Sequence, residues 1–246
     1  MRIQGVCLTA ALAIAGLGLV GGEARALTLA EANLVDLMRE STSIVTASVT
    51  AVTDGFDRTT GLPYTEVTLS IRQTLRGDEQ GTYTFRQLGL KQPRLSEDGT
   101  RKMLPIDGLP KFAEGEEVLL FLSRAAEWSG LRTTYGLNMG KFAFGPGRVE
   151  NGLANEGLFR NVSVAAGLAT DNDTRMLETE IGAVNPDTFL SFVQRAVDGQ
   201  WVETCLMWDT VEGKNCARSD RREMDRPDTP KRVGTSNPTL QTIESK

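Results

Sequence analysis

Hydrophobic and polar positions along this chain alternate with two different periods, and the change of period marks out its elements. From Ser43 to Val52 the run is rich in β-branched residues, with Val45, Ala47, Val49 and Ala51 two apart on one predicted face. Tyr64 to Arg72 alternates in the same way, Val67, Leu69 and Ile71 against Glu66, Thr68, Ser70 and Arg72, the pattern of a strand with one dry and one wet side. Thr82 to Gln87 predicts a third strand carrying Tyr83 and Phe85. Val118-Leu119-Leu120-Phe121-Leu122 is apolar without interruption. Such a strand is covered on both sides, with Val118, Leu120 and Leu122 turned one way and Leu119 and Phe121 toward a covering helix. Gly130–Leu137 and Gly140–Phe144 read as a further strand pair, and Arg148–Phe159 as a polar hairpin around Glu150-Asn151-Gly152.

Two stretches carry helical signals. Thr28-Leu29-Ala30-Glu31 has the form of a capping box, and Ala30, Leu34, Leu37 and Met38 mark one face of a helix ending near Arg39 to Ser41. Asn185-Pro186-Asp187 combines a capping side chain, a proline at the first helical position and an acid near the positive end of the helix dipole. Phe189, Phe192, Val193, Ala196 and Val197 would form the buried stripe, and Gly199 the stop. The expected class is therefore mainly β (α+β), a small closed antiparallel barrel flanked by an N-terminal and a C-terminal helix.

The ends change the picture from fold to location. Arg2, an uncharged apolar run from Val6 to Val20 and then Ala24-Arg25-Ala26 make the three parts of a secretory signal, with cleavage expected between Ala26 and Leu27. The run is about 15 residues, short of the roughly 20 that span a bilayer. The expected organisation is a signal peptide at 1–26, a barrel domain at 27–200, an extension at 201–218 and a polar, disordered tail at 219–246. Export to the periplasm or medium follows. Losing Arg2, Arg25 and Glu23 moves the formal charge from −5 to −6. That balance lacks the dense basic surface that nucleic acid or anionic lipid rewards.

Of three cysteines, Cys7 leaves with the signal. Cys205 and Cys216 remain, and an oxidising compartment would join them in a disulfide. The chain has no histidine. Ser-His-Asp and Cys-His catalysis, His-ligated metals and a histidine pH switch are thereby excluded. Carboxylate, Lys or Tyr chemistry stays open, with Glu114, Glu116, Glu117, Asp98 and Asp107 as the carboxylates grouped in sequence. Ser96-Glu97-Asp98-Gly99 and Asp171-Asn172-Asp173 could offer oxygen ligands to a cation, but both read better as solvated loops. No catalytic residue, cofactor or metal site is assigned. Gly89–Lys111 is a long connection with proline and charge, the first place to expect a binding surface. Asn161-Val162-Ser163 and Asn172-Asp173-Thr174 are glycosylation sequons.

Four segments together carry a resemblance. Ser43–Val52, Thr65–Gly77 with its Thr74-Leu75-Arg76-Gly77 ending, Phe112-x-x-Gly115-Glu116-x-Val118-Leu119-Leu120-Phe121-Leu122, and Gly136-Leu137-x-x-Gly140-Lys141-Phe142 resemble a set of uncharacterised exported bacterial proteins. The layout is similar to the netrin-like domain of tissue inhibitors of metalloproteinases, an OB-type barrel, and implies that architecture over about residues 28–144. The inhibitors' chemistry does not carry over, because they place a disulfide-bonded terminal cysteine on the protease zinc, whereas Leu27 is the expected terminus here. The sequence thus points to an exported, non-catalytic binding or envelope-associated module with a protein or glycan partner outside the cytoplasm. A carboxylate-dependent hydrolase acting on a sugar or another extracellular substrate is the alternative.

Overall fold

A computed structural model describes residues 32–92, 94–95, 101–102 and 108–211. The expected signal peptide, the Thr28 capping box, the loop acids Asp98 and Asp107, Ser96–Gly99, Cys216 and the tail from 219 lie outside the described residues. Helix α1 spans Leu34–Glu40, and its cap is Asn33 rather than Thr28. The Asn33 side chain accepts from the Asp36 N–H at 3.2 Å while Asp36 accepts from the Asn33 N–H at 3.1 Å. The long strands β1 (Ser43–Phe56) and β2 (Pro63–Arg76) follow, then β3 (Thr82–Leu88). Two-residue strands β4 (Arg94–Leu95) and β5 (Arg101–Lys102) pair inside the long connection. After β6 (Glu117–Leu122) come a 3-10 turn at Leu137–Gly140, then β7 (Lys141–Gly145) and β8 (Arg148–Asn151). The described chain closes with β9 (Val162–Val164), helices α2 (Asp171–Leu177) and α3 (Pro186–Asp198), and β10 (Met207–Asp209).

The fold is mainly β, with antiparallel ladders and three α-helices among the described residues. Its main sheet has the order β3-β2-β1-β6-β7-β8 and ends at β3 and β8, so the ladder does not close into the expected barrel. The uninterrupted apolar run of β6 has the expected consequence. Leu119 and Phe121 enter a core built with α1, α3 and Phe142, while Val118, Leu120 and Leu122 enter a second core with Val45, Val67, Leu69 and Phe85. All five are 0 % exposed. Each such side chain contributes roughly 1.5–3 kcal/mol of burial free energy, so β6 binds two cores to one strand.

Where the expected elements differ, local backbone geometry explains it. A register shift between Val49 and Ala51 puts Val52, not Ala51, into the core, as a one-residue slip in a strand must. Gly130–Leu137 is not a strand. It makes one bridge, Leu122 to Thr134, and then turns at Tyr135 and Gly136 into the 3-10 segment. Arg148–Phe159 is not a polar hairpin either. Only Arg148–Asn151 is a strand, and the chain beyond it folds inward as turns that bury Asn151, Asn155, Leu158 and Phe159. Asn155 is 0 % exposed, and its amide donates to the carbonyls of Val149 at 3.1 Å and Gly182 at 3.0 Å. Asp171-Asn172-Asp173 opens α2 instead of a loop, with Thr170 and Asp173 forming the capping box. Asp173 also receives Arg195 at 2.7 Å, which commits it to holding α2 against α3. Helix α3 starts and stops at the expected residues, and Trp201 and Met207 after it share the core of α1 and α3.

Candidate functional site

An open groove of about 760 Å³ runs beside β3, between that strand and the segment that follows β6. Its floor is held by one cation. Just past β6 the chain returns so that the Ser123 N–H donates to the Thr133 carbonyl at 2.9 Å. That return delivers Arg132 to the start of β1 and to the turn between β2 and β3. An arginine has five N–H donors, and all five are used here. Nε donates to the Ser123 carbonyl at 2.6 Å. One terminal nitrogen donates to Glu79 Oε1 at 2.7 Å and Tyr83 Oη at 2.6 Å. The other donates to Thr42 Oγ1 at 3.0 Å and Ser43 Oγ at 2.5 Å.

The Ser43 hydroxyl in turn donates to Glu79 Oε1 at 2.5 Å, completing a ring of hydrogen bonds. The side chains of Arg132 and Glu79 are 10 % and 11 % exposed. Burial pushes the Glu79 carboxyl up, but the bonds from Ser43 and Arg132 outweigh it and hold the group below its ordinary range. A serine beside such a carboxylate has a weak base for a neighbour, because the guanidinium already neutralises it. Gly77 allows this arrangement. Its φ is +98°, and a Cβ there would lie 2.4 Å from Glu79 Oε2 and 2.7 Å from Ser43 Oγ. Glu79 Oε2 itself is buried without a partner among the described residues.

Of the carboxylates singled out in the sequence, the described ones, Glu114, Glu116 and Glu117, lie elsewhere. Glu116 pairs with Lys141 at 2.5 Å, and Glu117 accepts from Arg72 at 2.6 Å and Ser48 at 2.5 Å. Glu114 accepts from the Val52 N–H at 3.3 Å. Each therefore supports the sheet around β6, and none lines the groove. The acids that do line it are Asp78 and Glu79, which the sequence presents as an ordinary Arg-Gly-Asp-Glu turn. Arg132 gives no sequence signal either, since one arginine among threonines reads as a solvated position.

The long connection is anchored where it is described. Asp54 accepts from the N–H groups of Lys91 at 2.9 Å and Gln92 at 3.3 Å, and the Gly108 carbonyl accepts from Asn138 at 2.9 Å. Among the described residues no group of three or more Asp, Glu or Cys side chains is arranged to hold a metal ion, and no helix is long and apolar enough to cross a membrane. Cys205 sits in a turn with φ +57°, and its expected partner Cys216 lies outside the described residues. In comparisons with known proteins, the chain matches no family, no curated protein and no solved structure.

Proposed function

We propose that this chain is an exported, non-catalytic binding module whose contact surface is the groove beside β3. The carrying observation is the state of the groove's polar groups. Arg132 has no donor left over, and its partner Glu79 is held ionised, so the constellation fastens two chain segments together. A hydrolase working with paired carboxylates needs one acid with a raised pKa. The shift at Glu79 runs the other way, which favours the binding reading over the sugar hydrolase.

The proposed architecture is an opened OB-like sheet. The β1-β2-β3 meander and the pairing of β1 with β6 fit that layout, and the netrin-like likeness rests on the same strands. Export is proposed on the layout of residues 1–26, and the Cys205–Cys216 disulfide on the compartment that export would supply. The partner is an extracytoplasmic protein or glycan, or another component of the envelope. The test is affinity capture by the chain from Leu27 onward, applied to periplasm or culture medium. A partner retained by the native chain and released when the groove is altered by Tyr83→Ala supports this function. Equal retention by both, or turnover of a polysaccharide by purified protein, overturns it.

A further inference from the structure

We infer that the groove takes an extended peptide segment as an added strand on the free edge of β3. This rests on the binding-module reading and names the kind of partner. In the β2–β3 ladder the Ile71 N–H bonds the Gly81 carbonyl and the Gly89 N–H bonds the Pro63 carbonyl. Alternation along an antiparallel pair then assigns Tyr83, Phe85 and Gln87 to bonding with β2, and turns the N–H and C=O of Thr82, Thr84 and Arg86 outward. The Arg132 N–H takes the Arg86 carbonyl at 2.7 Å, which confirms the parity. At Thr82 and Thr84 no backbone group among the described residues takes the outward positions.

Thr84 lines the groove, and Tyr83 and Phe85 flank it on the inner face. An edge strand of this kind is a template for another strand. The opposite wall decides what can enter. Arg124, Ala125, Gly130 and Arg132 stand across the groove and close it against β3 at Arg86. A second copy of the chain would have to bring a whole sheet edge past that wall, whereas a single extended segment needs to reach only the outward groups of Thr82 and Thr84. Charge supports the same occupant. Asp78 on one wall and Arg124 on the other are exposed, and neither has a charged partner among the described residues. A peptide carrying one basic and one acidic side chain on its groove face complements both, with small apolar residues between them against Tyr83 and Phe85.

The probe is the blocked heptapeptide Lys-Thr-Val-Thr-Val-Thr-Glu, titrated into the 15N-labelled chain from Leu27 onward and followed by amide chemical shifts. Saturable shifts at Thr82 and Thr84 are expected, larger than at Arg86, whose carbonyl the Arg132 N–H already holds. Only alternate peptide amides can face β3, so N-methylation of the Thr amides and of the Val amides must differ: one set weakens binding at least tenfold and the other less than threefold. Thr84→Pro, tolerated at a strand edge but lacking the N–H, should weaken binding about tenfold. Arg124→Ala, which leaves the ladder intact, should weaken it by a smaller factor and remove the advantage over a peptide with neutral ends. Equal effects of the two N-methylated sets, or shifts that spare β3, overturn the inference. If affinity capture still returns a partner that Thr84→Pro retains fully, the binding module stands and strand addition falls. Capture that fails while the heptapeptide binds gives the reverse.

Discussion

Replacing Arg132 by methionine tests the central physical claim, that one guanidinium neutralises a buried carboxylate and fastens the segment after β6 to the sheet. Methionine keeps much of the stem volume but removes all five hydrogen bonds. The larger effect lies in what stays behind. Glu79 is 11 % exposed, its Oε2 is already unpartnered, and without Arg132 its charge would be left to Ser43 and its own backbone N–H. Removing one partner of a buried pair costs about 3–5 kcal/mol, since the other charge stays desolvated. For a domain of this size that corresponds to a fall of about 6–20 °C in melting temperature. Urea unfolding followed by tryptophan fluorescence measures it, and Trp201, 6 % exposed in the helical core, reports on global unfolding. Adding Glu79→Gln to Arg132→Met removes the stranded charge and should restore at least about 1 kcal/mol. A single-variant cost below about 1 kcal/mol, or a double variant no better than the single, would refute the reasoning.

Four other outcomes can be measured. Glu79 and Asp173 both have carboxyls held below their ordinary values of 4.5 and 3.8, so their contribution is full above those values and lost as pH falls through the lower folded values. Thermal melts should therefore decline below about pH 4.5, and Glu79→Gln should flatten that decline. Gly77→Ala should cost about 1–3 kcal/mol in a urea titration, because the left-handed φ and the close approach of Glu79 and Ser43 both oppose a Cβ. Asn155→Ala should cost about 2–4 kcal/mol by the same assay, leaving the Val149 and Gly182 carbonyls and the Asn151 N–H without their buried partner. The proposed Cys205–Cys216 disulfide is tested by Cys205→Ser, which should lower stability by about 3 kcal/mol in oxidised protein and change little after reduction, read as the difference between two melts.

What could be read from residue order alone was whatever depends on period and on neighbours in the chain. The alternation in β2, the two-faced run of β6 and the Asn-Pro-Asp start of α3 are local signals, and burial follows them because a side chain's face is set by its own strand or helix. The exclusion of imidazole chemistry needed only composition. Distant partners decided the rest. Asn151 and Asn155 look polar and exposed in sequence, yet both are buried because their amides satisfy carbonyls of the 3-10 segment, of β8 and of the approach to α3. Glu79 and Arg132 are 53 residues apart and neither has a distinctive neighbour, so their pairing exists only once the segment beyond β6 folds back on β1. The free edge of β3 likewise belongs to the ladder order, because whether a strand is central or terminal depends on which other strands reach it.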